Sequence, residues 1–587
     1  MPGRVLLSAA LLFIHHCHSL IPNVLLQKQA SAIPSFDWRS IQPSTDLAYH
    51  DCYGDFQCAR LTVPLDWNNS SNPNNISLAV IRLPATVPDD DPSHGGSIIF
   101  NPGGPGGPGT LSVLVVAHDI QRRLDGDKHY EIVSFDPRGV FMSTPNAYCF
   151  DDYAESEIWW REKRAAGNLD SGEAVIRYHW AMENARGELC ASTDIGAFSN
   201  GDNLRNHLST AYVARDVLEL VHKIDEQKRD ATGVQHLPDV QQAMQNHAKA
   251  MRSAKLQYIG VSYGTFLGQT FAAMYPEHVG RMALDSNLDA DNWVSLYEAS
   301  VDDHEAIRDY FFERCFIGGA KCALWRTGDQ SPQDVRNRFD VVYASLEESP
   351  AVISGQGHAK VLKSDELQWA FLMASYQPIS LFNIFADAMN DLYLGSRSAL
   401  PFWQHVLPTG NSFYDEVLEH QIRGSDVTAA IHCSDGLDLS GSNFTEYKSY
   451  LANLTSRFPH AGALQAEFKL PCWTWPEPLR TKWRYDGPFN ASVPILFVNN
   501  RLDTATPLKY AVKMAERFNG SAVLVHDNVG HGALWPAGDC MWDYVRKYMD
   551  GGTLPPNGTV CKSPCEAFAH GCADELANEA MPLFAGF

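Results

Sequence analysis

Residues 255–274, KLQYIGVSYGTFLGQTFAAM, constrain the fold more than any other stretch, because they read as a buried strand, a tight turn and a helix in immediate succession. The turn is Gly260-Val261-Ser262-Tyr263-Gly264, a GxSxG pentapeptide. A strand that runs straight into a helix forces the middle residue into a strained, exposed conformation, and glycines on either side remove Cβ atoms that would collide there. Ser262 is thereby presented as a nucleophile. Three fixed positions in five recur by chance, so the flanks decide. Leu256-Gln257-Tyr258-Ile259 is short and largely apolar, and Phe266, Leu267, Thr270, Phe271 and Met274 recur at helical spacing.

A chain of 587 residues is too long for one small core and predicts a large domain with an insertion, or two domains. A formal charge of −23 argues against a nucleic-acid partner, which needs a basic surface to displace counterions. At the N-terminus, Arg4 precedes the mostly apolar run 5–14, and Cys17-His18-Ser19 offers small residues at a cleavage point. This predicts a secretory signal peptide over 1–19, a secreted protein and no membrane partner, since the run is well short of the roughly 20 apolar residues that span a bilayer. With Cys17 removed, 12 cysteines remain, an even number suited to disulfides in an oxidising compartment. Short loops suggest Cys52 with Cys58 and Cys315 with Cys322. Cys561, Cys565 and Cys572 cluster near the C-terminus with only His570 among them and no CxxC pair, so neither a metal site nor any cofactor is expected. Sequons at Asn68, Asn69, Asn75, Asn443, Asn453, Asn490, Asn519 and Asn557 predict N-linked glycans on an exported chain.

Residues 20–60 read as irregular, and 61–67 and 76–83 as edge strands. The short strand 97–100 runs into Asn101-Pro102-Gly103-Gly104-Pro105-Gly106-Gly107-Pro108-Gly109. A phosphate cradle would need Gly-Lys-Ser/Thr after it, and a dinucleotide site would need a helix where the prolines stand. A linker is the plain alternative; an oxyanion loop fits better, with Gly104 and Tyr263 as the candidate N–H donors. A strand at 130–135 leads to Asp136-Pro137-Arg138-Gly139, whose charges are expected to pin a turn. A helix follows over 204–221, then a polar excursion over 225–255. After a strand at 281–285 the chain turns helical and aromatic from about 291 to 460, with one stretch at 366–394 carrying Trp369, Phe371, Phe382 and Phe385. Such a block inserted between two parts of a sheet is what a lid would look like. The core resumes with a strand at 493–500, ending in Asp503-Thr504-Ala505-Thr506-Pro507, then a helix at 508–518, a strand at 521–525 and Gly530-His531-Gly532.

Alternating strands and helices predict an α/β fold, a mostly parallel sheet with helices on both faces, whose functional residues gather at the carboxyl ends of the strands. Ser262, Asp503 and His531 all fall there, in the order of an α/β-hydrolase. A hydroxyl is a poor nucleophile until an imidazole removes its proton, and a carboxylate fixes the imidazole tautomer. Asp285, at another strand end, is the alternative acid.

Together these segments, with Ala214-Arg215-Asp216 and Ile431-His432-Cys433-Ser434-Asp435, resemble the secreted tripeptidyl aminopeptidase-like α/β-hydrolases, relatives of the prolyl aminopeptidases, over about residues 50–575. The resemblance implies an inserted helical cap and release of short peptides from free N-termini, with Ser262, Asp503 and His531 as triad and Gly104 and Tyr263 as oxyanion donors. Val140-Phe141-Met142-Ser143 and the long insertion before Leu256 depart from the family pattern. The expected division is a signal at 1–19, core at 20–290, cap at 291–460 and core again at 461–587. The expected partner is a peptide or small-molecule substrate, with Asp302, Asp303 and Glu305 as possible anchors for an ammonium group. A carboxylesterase or other metabolite hydrolase uses the same triad, and a catalytically dead binding module is a third reading.

Overall fold

The computed structural model describes residues 36–231, 254–355, 358–396, 415–475, 491–535 and 537–569. They form two compact units, one made of 36–304 with 415–563 and the other of 305–396 with 564–569. The signal segment and most of the polar excursion lie outside the described residues.

In the larger unit the strands are β1 (His50–Cys52), β2 (Phe56–Pro64), β3 (Asn75–Leu83), β4 (His94–Asn101), β5 (His129–Phe135), β6 (Leu256–Val261) and β7 (Val279–Asp285). The smaller unit contributes β8 (Ala351–Gly355) and β9 (His358–Leu362), and the larger resumes with β10 (Leu496–Leu502), β11 (Ala522–Val529) and β12 (Val560–Lys562). Ten of them join one sheet in the order β1-β2-β3-β5-β4-β6-β7-β10-β11-β12. Neighbours from β5 to β12 are parallel, and β1, β2, β3 and β5 pair antiparallel. The central strands can be parallel because they are buried on both faces, as the apolar run Ile98-Ile99-Phe100 requires.

Helix Gly109–Leu124 connects β4 to β5 and helix Tyr263–Met274 connects β6 to β7, in opposite directions across the sheet. Right-handed crossovers therefore put these helices on opposite faces. Strand order reverses around β4, so the ends of β4 and β6 flank the switch point where ligand sites form in open α/β sheets. The glycine-rich loop leaves one and Ser262 the other.

Three local expectations change. The segment 20–60 contains β1 and the start of β2, closed by the Cys52–Cys58 disulfide. The helix expected over 204–221 is a single 3-10 turn, Leu204–His207, followed by the helix Thr210–Ala231. The helix expected over 366–394 is two helices, Ser364–Tyr376 and Pro378–Tyr393, because Pro378 cannot donate to the first and pushes Gln377 out of helical geometry, to φ −133°. Phe371, Phe382 and Phe385 from this pair bury against Phe311 and Phe339, so the aromatic stripe is the core of the smaller unit. Of the cap expected over 291–460, residues 305–396 fall in that unit, while 291–304 and 415–460 belong with the sheet.

Candidate active site

Ser262 adopts φ +56°, ψ −126°, immediately before helix Tyr263–Met274, and is 6% exposed. The turn is tight enough that a Cβ on Gly264 would lie 2.6 Å from the Asn101 carbonyl oxygen, which explains the glycine there. Positive φ on a serine is strained, and the surroundings hold it. The Ser262 N–H donates to the Asp285 carbonyl at 3.0 Å, and its own carbonyl accepts from Thr265 N and Oγ1 at 2.8 and 2.6 Å.

At the ends of β10 and β11 the acid and base meet. His531 Nδ1 lies 2.8 Å from Asp503 Oδ1 and 3.0 Å from Oδ2, with both side chains fully buried. The carboxylate accepts further bonds from the Ala505 and Thr506 N–H groups, each at 2.9 Å, and from Thr506 Oγ1 at 2.8 Å. Thr506 Oγ1 is also 3.2 Å from His531 Nδ1, so it stands beside the acid–base contact itself. No role was expected for Thr506, although an acceptor side chain followed two and three residues later by turn amides is the spacing of an Asx turn.

Asp285, the alternative acid, is employed elsewhere. Its Oδ1 and Oδ2 accept the N–H groups of Ala533 and Leu534 at 2.7 and 2.9 Å, which fastens the loop just after His531. Burial pushes its carboxyl up to about 6 against the pull of those donors. Ser286 Oγ accepts the Gly532 N–H at 2.7 Å, and Asn500 Nδ2 donates to the Gly530 and Gly532 carbonyls at 2.8 and 3.3 Å. Because the Asp285 carbonyl also holds Ser262, the 285–286 pair ties the frame of the serine to the frame of the histidine.

The glycine-rich loop lies against the elbow. A Cβ on Gly103, itself at φ +97°, would fall 2.4 Å from the Val261 carbonyl oxygen and 3.0 Å from both Ser262 Cβ and Tyr263 N. Only glycine lets backbone approach backbone this closely. Gly104 is the next residue, at φ +109°. Asp136 and Arg138 do pin structure: Arg138 makes a buried fork to Asp216 at 2.7 and 2.6 Å, and Asp136 accepts from Thr110 N and Oγ1 at 2.9 Å.

The proposed ammonium anchors have other partners. Asp302 pairs with Lys509, and Asp303 Oδ2 accepts the Asp503 N–H at 3.1 Å. Burial raises the Asp303 carboxyl to about 6. Glu305 pairs with Arg308 at 3.7 Å, within its own unit. Among the described residues, Cys149, Cys190 and Asp426 are close enough to share an ion, but the two sulfurs form a disulfide and are not thiolate ligands.

Two family models match the chain, one described as alpha/beta hydrolase fold over residues 96–319 and one as TAP-like protein over 457–561. The first covers the glycine-rich loop and the elbow, the second Asp503 and His531. The tripeptidyl aminopeptidase of Streptomyces lividans is 27% identical over 531 residues, 88% of this chain and 86% of the relative. The likeness is to TAP-like α/β hydrolases. The chain is also similar to the serine protease Hip1 of Mycobacterium tuberculosis, 25% identical over 86% of this chain and 87% of that protein. A protein of the same organism named carboxylesterase B is 26% identical, covering 86% of each chain. The likeness thus spans both halves of the sheet and the helices between them.

Proposed function

We propose that the protein is a secreted serine peptidase that releases short peptides from free N-termini through an acyl-enzyme. The observation that carries the chemistry is the His531 imidazole held on the Asp503 carboxylate at 2.8 Å, in one sheet with a serine at a strained elbow. In this reading His531 Nε2 takes the Ser262 hydroxyl proton as the oxygen attacks the scissile carbonyl, and Asp503 stabilises the imidazolium. The N–H groups of Gly104 and Tyr263 hold the negative oxygen of the tetrahedral intermediate. His531 returns the proton to the leaving amine, and water then repeats the sequence on the ester of Ser262. The aminopeptidase register is supported by the relatives named tripeptidyl aminopeptidase.

Export is supported by five disulfides among the described residues, Cys52–Cys58, Cys149–Cys190, Cys315–Cys322, Cys433–Cys472 and Cys540–Cys561. Asn68, Asn69, Asn75, Asn443, Asn453, Asn519 and Asn557 are exposed, as glycan acceptors must be, and Asn490 lies outside the described residues. A second reading, an esterase, is favoured by the relative named carboxylesterase B. A fluorogenic panel separates the two: mono-, di- and tripeptides with free N-termini, their N-acetylated forms, and short acyl esters. The peptidase reading expects cleavage of free peptides with loss on acetylation. Ester cleavage with every peptide refused would replace it by the esterase.

A further inference from the structure

A glycine-rich loop has wide conformational freedom, so an N–H it supplies to a reaction must be aimed from outside. On the upstream side Gly103 is fixed: its N–H donates to Asn101 Oδ1 and its carbonyl accepts from Gly107, both at 3.1 Å. On the downstream side the restraint comes from helix Asp415–Asp435. Thr428 Oγ1 donates to the Pro105 carbonyl at 2.7 Å. A helical threonine ordinarily returns its one hydroxyl proton to a carbonyl of its own helix; this one reaches across to the loop. Because the Pro105 ring fixes its φ, holding that carbonyl limits rotation of the peptide that joins it to Gly104. The approach is close, for a Cβ on Gly106 would lie 3.2 Å from Thr428 Oγ1 and 3.6 Å from the Gly424 carbonyl.

The same helix reaches the other donor. Asp435 is buried and accepts from Thr210 N at 2.8 Å, Thr210 Oγ1 at 2.6 Å and Trp293 Nε1 at 3.2 Å. Thr210 Oγ1 also bonds the hydroxyl of Tyr263. Since the threonine gives its only proton to Asp435, the tyrosine donates, and the chain runs Tyr263 to Thr210 to Asp435. Tyr263 is the residue whose backbone N–H follows Ser262. Thr428 and Asp435 are seven residues apart, about two turns, and so share one face of the helix.

We propose that Thr428 and Asp435 are positioning residues of the oxyanion hole, by which one helix sets the geometry of both donor segments. The proposal rests on the reading of Gly104 and Tyr263 as the donors. It makes the helix a part of transition-state stabilisation without touching substrate, and it predicts a defect in kcat with binding spared.

Thr428→Val keeps the shape of the side chain and removes its donor. With the substrate identified by the panel, it should lower kcat about tenfold with KM within about twofold, a fraction of the loss when a whole oxyanion donor is removed. Thr428→Ser should restore kcat. The rate at which a fluorophosphonate labels Ser262 should fall by the same factor as kcat, because its phosphoryl oxygen uses the same donors. Asp435→Asn should repeat the pattern, and if that buried change prevents folding, Thr428→Val alone decides. Wild-type kcat and labelling rate in Thr428→Val would overturn the proposal, as would a loss shared equally by KM or left unrepaired by serine. Failure of the underlying reading looks different: Ser262→Ala would keep activity, or the fluorophosphonate would label another residue.

Discussion

His531 sits in a loop whose amides and carbonyls are gripped by Asp285 at the end of β7, by Ser286 just after it and by Asn500 in β10, the strand beside its own. The glycine-rich loop is gripped by Thr428, 323 residues further along the chain than the carbonyl it holds. The proton-transfer half of the proposed site is therefore a property of the sheet, while the charge-stabilising half depends on a helix that reaches the donor segments from outside it. Damage to the first should abolish chemistry outright. Damage to the second should leave a slower enzyme with the same substrate affinity.

Ser262→Ala and His531→Ala test the first half most severely, and each should lower kcat about 10⁵-fold, measured on the best substrate of the panel. A single-digit loss in either would mean that the sheet-held group is not the reacting one. Next comes Thr506→Val, which removes one of the donors to Asp503 and leaves the two backbone N–H groups in place. It should cost about 10- to 100-fold in kcat, between the triad variants and Thr428→Val. A Thr506→Val enzyme slower in KM alone would shift that residue from the acid–base half to substrate binding.

The contrast between the two halves is also a contrast in what sequence can carry. Ser262, Asp503 and His531 were legible because each closes a short apolar strand with a turn of glycine, proline or aspartate, and strand, turn and side chain lie within a few residues of each other. Asp285 was ambiguous for a physical reason: a carboxylate at a strand end reads the same whether an imidazole or two backbone amides meet it. Thr428 and Asp435 left no local trace, because their partners, Pro105 and Thr210, come from distant parts of the chain. Asp435 even lies inside a segment, 431–435, that carries the family resemblance, yet nothing around it in sequence points to its role. Its place in the loop points to Gly104 as donor, whereas the close contact with the elbow is made by Gly103.

The Cys433–Cys472 disulfide sharpens the comparison further, since it fastens the helix between Thr428 and Asp435 to a segment 39 residues on. The paired change Cys433→Ser with Cys472→Ser should cost about 2–4 kcal/mol of unfolding free energy, read in thermal or denaturant melts. Its kinetic mark should resemble Thr428→Val, a lower kcat at unchanged KM. A parallel loss in the labelling rate of Ser262 would place the bond with the oxyanion half, and a stability loss with wild-type kcat would make it a staple only.

The smallest effect is one the two halves share. Each contains a buried carboxyl whose ordinary value is near 3.8 and which burial holds up at about 6, Asp285 under the His531 loop and Asp435 under the oxyanion donors. Between those values the folded chain binds a proton that the unfolded chain has released. The stability each group contributes is therefore fully present below about pH 4 and is lost as pH rises through 6, by about 1–3 kcal/mol at most. Asp285→Asn and Asp435→Asn should each flatten the dependence of Tm on pH between 4.5 and 7, compared with the wild type in the same buffers. Their kinetics should still divide as the halves do, with the first weakening proton transfer and the second the oxyanion. A variant that kept the wild-type slope would mean that its carboxyl ionises in the folded chain as it does in the unfolded one, and that the N–H groups aimed at it outweigh its burial.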